Sequence, residues 1–152
     1  MIEAAMGLFT LGVFQDAAWA EKGLQALTAQ GFVPEAISLI AKDSPEVAAL
    51  AERVFGSPVG TVEIRGLGLA RARGPLVEAL QGGDRALTKQ GIAATARRVG
   101  FQLHDGQIFE TLTARGGVLV AVTSDARAAD ALAVLHSYGG GNASIGAWSG
   151  RV

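Results

Sequence analysis

Apolar and polar positions divide the chain into two similar strand–helix–strand units separated by a longer segment. In the first unit, Leu8 to Phe14 is a short apolar run typical of a strand buried on both faces. Asp16 then offers a helix N-cap, and apolar residues recur at helical spacing until Gly31. Ala36 to Ala41 follows, with residues that alternate between two faces, and predicts a second strand.

The second unit is a weak copy of the first, shifted by 109 residues, so that Gly7 to Ile40 recurs as Gly116 to Trp148. Identical residues stand at matched positions: Gly7 and Gly116, Val13 and Val122, Asp16 and Asp125, Ala17 and Ala126, Ala20 and Ala129, Gly31 and Gly140. The predicted elements are a strand at Val118 to Val122, a helix capped by Asp125 that ends at Gly139-Gly140-Gly141, and a strand at Ala143 to Trp148. Two such units predict an α+β, ferredoxin-like split βαβ fold with an internal duplication and both helices on one face of the sheet.

The chain is expected to form a single domain, 1–152, in which the units at 7–41 and 118–148 flank a mostly helical insertion at 42–117. The insertion has six predicted features. These are a helix after Ser44-Pro45, a short edge strand from Val62 to Ile64, a glycine-rich loop from Gly66 to Pro75, a helix from Pro75 through Leu80, a longer helix capped by Asp84 that carries Ile92, Ala96 and Val99, and a last helix from Asp105 to about Arg115.

Composition narrows the choice of partners. The chain is 49% hydrophobic and 18% charged, so much of its surface must be small or apolar, which favours self-association. Thirteen basic and fourteen acidic residues give a net charge of -1, and this balance offers no excess for phosphate contacts, so no nucleic-acid partner is expected. With no cysteine, disulfides, thiol nucleophiles and cysteine-ligated metals are excluded. An acidic N-terminus without Lys or Arg and the lack of a long apolar run predict a cytoplasmic protein with no membrane span.

Three groups of motifs follow one another along most of the chain. They are Phe14-x-Asp16 with Ala20, Glu21, Leu27 and Gly31-Phe32; Gly66-Leu67-Gly68 leading to Gly74-Pro75-Leu76 with Ala79-Leu80; and Gly100-Phe101, Ile108-Phe109-Glu110 and Gly116-Gly117-Val118-Leu119-Val120-x-Val122. Together they resemble the general stress protein family of the YflT-like, heat-induced type. The resemblance implies a stress-associated bacterial protein and brings no catalytic residues with it. Phe109 stands where the family usually has tyrosine, and the long Gly/Ala-rich segment that members often have before Gly-Pro-Leu is reduced to the short stretch after Phe55.

The glycine-rich stretch contains the best candidate ligand site, formed by Gly66, Gly68, Arg71, Arg73 and Gly74. Glycines let backbone N–H groups approach an anion, and two arginines could clamp a phosphate or carboxylate. The Lys-Ser/Thr of a P-loop and the spacing of a Rossmann loop are both missing. The alternative is a tight loop packed against a helix, with the arginines solvated or paired with acids across a subunit interface.

No catalytic set, metal site or cofactor is predicted. His104 and His136 are the only histidines, and neither has a partner at helical spacing for a metal. His104, Asp105 and Glu110 are the only clustered acid–base groups, and their proximity is common at a helix start. An enzyme is therefore the third choice among the functions considered.

Trp19 and Trp148 are candidate interface residues, since a partly exposed tryptophan often marks a protein contact. Ordinary core packing is the alternative for both. The first functional hypothesis is a non-enzymatic, stress-associated structural or interaction protein that forms a homo-oligomer, expected to be a dimer, through an open sheet face or its edge strands, with a further protein partner as an added option. The second is a small-molecule or anion-binding regulatory module.

Overall fold

The computed structural model describes residues 9–123, 127–139 and 144–149. In chain order the strands and α-helices are β1 (Phe9–Phe14), α1 (Ala17–Ala29), β2 (Ile37–Lys42), α2 (Pro45–Phe55), β3 (Thr61–Ile64), β4 (Gly68–Arg73), α3 (Pro75–Gln81), α4 (Ala86–Gln90), α5 (Ile92–Thr95), α6 (Leu103–Ala114), β5 (Val118–Thr123), α7 (Ala128–Gly139) and β6 (Ser144–Ser149). Short 3₁₀ turns lie at Pro34–Ala36 and Ala96–Val99. The predicted α+β class is confirmed.

The strands form one six-stranded antiparallel sheet in the order β3-β4-β2-β5-β1-β6. Both repeated units have the predicted order, β1-α1-β2 in the first and β5-α7-β6 in the second. Their strands interleave, because β5 lies between β1 and β2 and β1 lies between β5 and β6. The hairpin β3–β4 extends the sheet beyond β2.

The first face of the sheet is covered by α1, α2 and α7. Their apolar residues join those of β2 and β5 in one buried cluster, which includes Leu24, Leu27, Ile37, Leu39, Val47, Leu50, Val118, Val120, Ala131 and Leu135. The predicted caps hold the helix starts: Asp16 Oδ1 accepts the N–H of Trp19 at 3.0 Å, and Ser44 Oγ accepts that of Val47 at 3.1 Å. The predicted cap Asp125 and the loop 140–143 lie outside the described residues.

The second face of the sheet was expected to be open, and that expectation is wrong. Helices α3 to α6 of the insertion pack on it, and their apolar residues form a second buried cluster with β1, β4 and β5. Within this cluster the rings of Phe101 and Phe109 meet edge to face, with centroids 5.0 Å apart. The protein is therefore layered as helix, sheet and helix, and the described sheet has no bare face through which to associate.

The insertion also differs from its predicted elements at two places. The stretch expected to be a glycine-rich loop is strand β4, because Ala70 and Ala72 alternate with Arg71 and Arg73 at the spacing of a strand. The long helix expected after Asp84 is divided by Gly91 into α4, α5 and a 3₁₀ turn. Among the described residues, no helix is long and apolar enough to cross a membrane.

Candidate functional site

The five residues of the predicted ligand site lie along the hairpin β3–β4 and are not gathered around one point. Gly66 is in the hairpin turn, Gly68 begins β4, and Gly74 follows the other end of that strand. Arg71 and Arg73 lie between them; Arg71 contacts the segments on either side of α2, and Arg73 contacts Phe55 at its end. No measurement tests ligand binding by this segment, so that role stays a prediction.

Both arginines of the predicted site are held by contacts within the chain. Arg71 donates to Asp43 Oδ1 at 2.8 Å and to the carbonyl oxygen of Val59 at 2.6 Å. Arg73 donates to the carbonyl oxygen of Pro34 at 3.0 Å and lies over the ring of Phe55, with its guanidinium carbon 4.0 Å from the ring centroid. Burial lowers the pKa of the Arg73 guanidinium from its usual value. These contacts connect β4 to α2 and to the turn before β2.

Gly74 has a structural reason to be glycine. Its φ is +105°, and a Cβ there would lie 2.5 Å from Ser38 Oγ and 2.6 Å from the carbonyl oxygen of Ile37. The close approach lets the buried Ser38 hydroxyl accept the N–H of Leu76 at 2.9 Å, which satisfies a free donor at the start of α3. The Gly-Pro-Leu motif therefore joins α3 to the middle of the sheet.

Gly66 also has a partner within the chain. Glu110 of α6 lies against it, with the carboxyl carbon 3.1 Å from the position of a Gly66 Cβ. Glu110 Oε1 accepts the N–H of Ala93 at 3.0 Å and would lie 2.7 Å from a Gly91 Cβ. The carboxylate thus connects α6 to the first turn of α5 and to the hairpin. Two of the motifs that resemble the general stress proteins, Gly66-Leu67-Gly68 and Ile108-Phe109-Glu110, are therefore in contact here.

The candidate acid–base residues His104, Asp105 and Glu110 all lie in α6. His104 is exposed on α6, where it lines a shallow groove of about 300 Å³ together with Gln107, Ile108, Thr111 and Leu112. Within the described ranges no group of three or more acidic or histidine side chains is arranged to hold a metal. His136 lies in α7, where its side chain is outside what the structure describes.

The two tryptophans lie at different places. Trp19 is 36% exposed on α1, with the ammonium of Lys22 4.3 Å from its ring centroid, so it is available to a partner. The backbone of Trp148 pairs with Leu11 in β6, and its side chain is outside what the structure describes.

The two edges of the sheet are the remaining candidate sites for association. Strand β3 has four residues, one of them the exposed Glu63, which is a common way to protect an edge. Strand β6 has the sequence Ser-Ile-Gly-Ala-Trp-Ser, with no charge and no proline. It pairs with β1 along one side, and no described strand pairs with its other side.

The register of β6 leaves a regular stretch at this edge. A shift between Val13 and Phe14 places the irregularity at the start of β6, near Ile145. From Gly146 to Ser149 each residue opposes one residue of β1. The outward N–H and C=O groups of this stretch are those that an added strand would bind.

Several contacts could not be recognised from the sequence. Glu21 of α1 and Arg53 of α2 form a two-pronged ion pair, with N–O distances of 2.7 and 2.9 Å. The hydrogen bonds from Arg53 lower the pKa of the Glu21 carboxyl from its usual value. The pair borders a surface groove of about 420 Å³ between the two helix starts.

The strand β4, by contrast, has a signal in the sequence, because small and charged residues alternate in Ala70-Arg71-Ala72-Arg73. The glycines on either side of this stretch favoured the interpretation as a loop.

Comparison with protein-family models, with curated proteins and with solved structures gives no match to this chain. The resemblance to the general stress proteins therefore rests on the motifs alone.

Proposed function

We propose that this protein is a non-enzymatic interaction protein that forms a homodimer through the free edge of β6. The observation that carries the proposal is the contrast between the two edges, since β6 is long, uncharged and free of proline while β3 is short and carries Glu63. An edge of that kind is a template for another strand. A second copy of the same chain supplies a matching strand, and a two-fold axis would join the two sheets into one.

The layered fold supports this choice of surface. Helices cover both faces of the described sheet, so an edge is the part of the sheet at which a second copy could add hydrogen bonds. Self-association also agrees with a surface poor in charge, given that only 18% of the residues are charged. Trp148 stands in the same strand and would lie within this interface.

The proposal includes a ferredoxin-like core. The strands of the two repeated units have the order β6-β1-β5-β2, in which each unit's pair of strands encloses a strand of the other. This interleaving is what a split βαβ duplication requires. The hairpin β3–β4 and helices α3 to α6 would then be additions to that core, inserted between its halves.

The dimer is tested by placing like charges along the proposed edge. The double variant Ser144→Lys, Ser149→Lys puts two lysines on β6, so that four positive charges would meet across the two-fold axis. The matched control Ser57→Lys, Thr61→Lys adds the same charge at exposed positions beside and on β3. Circular dichroism first confirms that each variant is folded.

Light scattering coupled to size-exclusion chromatography then reports the mass. We expect a dimer for the parent and the control. For the β6 variant we expect a dimer dissociation constant at least tenfold higher, which corresponds to a loss of about 1.4 kcal/mol of association free energy. A monomeric parent at tens of micromolar, or a β6 variant that dimerises as well as the control, would contradict the proposal.

The stress-associated role is the part of the proposal that the family resemblance supports. Targeted mass spectrometry of the source cells before and after a heat shift measures the abundance of this chain. A rise relative to total protein is expected. An unchanged amount after heat and after other common stresses would remove the stress role and leave the dimer proposal to its own test.

A further inference from the structure

Four exposed bases around α4 have no partner within the described chain. Arg65, Arg85, Lys89 and Arg97, which we call the α4 basic patch, have neither an ion pair nor a side-chain hydrogen bond among the described residues. Two other described bases lack both kinds of contact: Lys22, which lies over the ring of Trp19, and Arg115, at the far end of α6. Bases without a partner are therefore concentrated at one place on the molecule.

The fold brings the members of this patch together from separate segments. The N–H of Arg65, just after β3, donates to the carbonyl oxygen of Thr88 at 3.2 Å, which places it beside Lys89. The N–H of Lys89 donates to the carbonyl oxygen of Arg85 at 3.0 Å. Arg97 follows α5 in the adjoining 3₁₀ turn.

The turn that carries Arg97 is held against the start of α4 by an ion pair. The guanidinium of Arg98 donates two hydrogen bonds to the Asp84 carboxylate, at 2.7 and 3.1 Å. The bond to Arg98 lowers the pKa of Asp84 from its usual value. Asp84 is thus already paired with a base outside the four, and another acid close to the patch, Glu110, accepts the N–H of Ala93.

The near-neutral net charge of the chain conceals this surface. Residues 61–100 contain seven bases and three acids, whereas the whole chain has thirteen and fourteen. Of these seven, Arg71, Arg73 and Arg98 are engaged in contacts within the chain. The net charge of the whole chain, from which no nucleic-acid partner is expected, therefore does not describe the area around α4.

Arg85 has a backbone conformation that the fold alone does not explain. Its φ is +56° and its ψ is 40°, and it is the only described residue other than glycine with a positive φ. The left-handed region is unfavourable for a residue with a Cβ, and glycine would adopt it without strain. A strained, exposed arginine with no internal partner is the kind of residue that a binding function retains at the expense of stability.

We propose that the α4 basic patch binds an anion with several phosphate groups, with Arg85 and Lys89 in direct contact. The planar guanidinium of arginine donates paired hydrogen bonds that match phosphate oxygens, and a lysine ammonium adds a point charge. The site is separate from the β6 edge, so it does not depend on the proposed dimer.

The probe is inorganic tripolyphosphate, titrated into the full chain by isothermal calorimetry at low salt. Arg85→Gly and Lys89→Ala are compared with Arg115→Ala, which removes the same charge outside the patch. We expect each patch variant to bind at least about tenfold more weakly and the control to bind as the parent does. Affinity of the parent should fall as salt is added, because exposed charges are screened.

Thermal unfolding without ligand separates binding from structure. Arg85→Gly should raise the melting temperature while it weakens binding, since glycine relieves the positive φ. A purely structural role for Arg85 would instead lower the melting temperature. If the melting temperature of Arg85→Gly is no higher than that of the parent, the claim that Arg85 is strained for the sake of binding is overturned.

A parallel titration with phosphatidylglycerol vesicles distinguishes the source of the phosphates. Tripolyphosphate binding that the patch variants lose supports a free polyphosphate ligand, and vesicle binding that they lose supports a lipid headgroup. If neither probe binds the parent, or if the patch variants bind as well as Arg115→Ala, the proposal is overturned. It is overturned as well if single-stranded RNA binds while both phosphate probes fail.

Discussion

Replacement of Gly74 by alanine should strongly destabilise the protein, because no side chain fits where this residue lies against β2. With φ at +105° and ψ at 176°, Gly74 occupies a region that other residues avoid. The added Cβ would meet Ser38 Oγ at 2.5 Å and the carbonyl oxygen of Ile37 at 2.6 Å. Ile37 and Ser38 belong to a central strand that is buried from Ile37 to Ala41, so their backbone has little room to move.

The expected loss follows from these two effects. A strained conformation of this kind costs of order 1–3 kcal/mol, and overpacking in a dense core costs about 1–3 kcal/mol more. The total loss is about 2–6 kcal/mol. A typical domain has a free energy of unfolding of about 5–15 kcal/mol, so this loss is a large part of its stability. In urea unfolding followed by circular dichroism, such a loss should lower the midpoint by about 1 M or more.

Two companion variants make this prediction sharp. Gly83→Ala is the matched control, since Gly83 has nothing within 4 Å of a Cβ and no positive φ, and it should change stability by less than about 1 kcal/mol. Ser38→Ala should cost about 1–3 kcal/mol, because the buried N–H of Leu76 loses its acceptor. A Gly74→Ala variant with the midpoint of Gly83→Ala would refute the close contact between β2 and the start of α3.

Three further changes test other contacts. Glu110→Ala should lower the free energy of unfolding by about 1–3 kcal/mol, since an N–H at the start of α5 loses its acceptor, and Glu110→Gln should restore most of it in the same urea assay. Gly23→Ala should destabilise the protein although alanine favours helices, because its Cβ would lie 2.5 Å from the ring of Phe14; a higher urea midpoint would contradict this packing. Arg53 lowers the pKa of Glu21 below 4.5 in the folded state, so the unfolded chain binds more protons as the pH falls. The stability that this pair contributes is therefore present above pH 4.5 and is lost as the pH falls through the pKa of Glu21 in the folded protein. Glu21→Gln should therefore flatten the dependence of thermal stability on pH below 4.5, and an unchanged slope would count against the pair.

The repeated units of the fold could be predicted from sequence because each contains strong local signals. Asp16 and Ser44-Pro45 mark helix starts that the structure confirms, and the apolar run at Val118 to Val122 is a strand within one residue of its predicted bounds. These signals depend on neighbours in the chain, which is why the pattern reveals them. The position of the insertion depends on distant contacts, and nothing local distinguishes a covered sheet face from an open one.

The glycines explain why the sequence predicted a loop where the structure has strand β4. Gly66 and Gly74 suggested a continuous loop, but each has a positive φ and lies close to a distant side chain, Glu110 or Ser38. Such approaches are visible only once the strands and helices are assembled. The patch around α4 was missed for a related reason, since Arg65 and Lys89 are far apart in sequence and become neighbours through a backbone bond to Thr88.

Hydrogen exchange measured at several protein concentrations tests the proposed β6 dimer most directly. If two copies pair through this strand, backbone amides in the peptide covering Ser144–Ser149 should exchange more slowly as the concentration rises through the tens of micromolar. Amides of Thr61–Ile64, at the opposite edge of the sheet, should show no such change. Exchange in β6 that is independent of concentration, or protection that arises at β3 instead, would contradict the account.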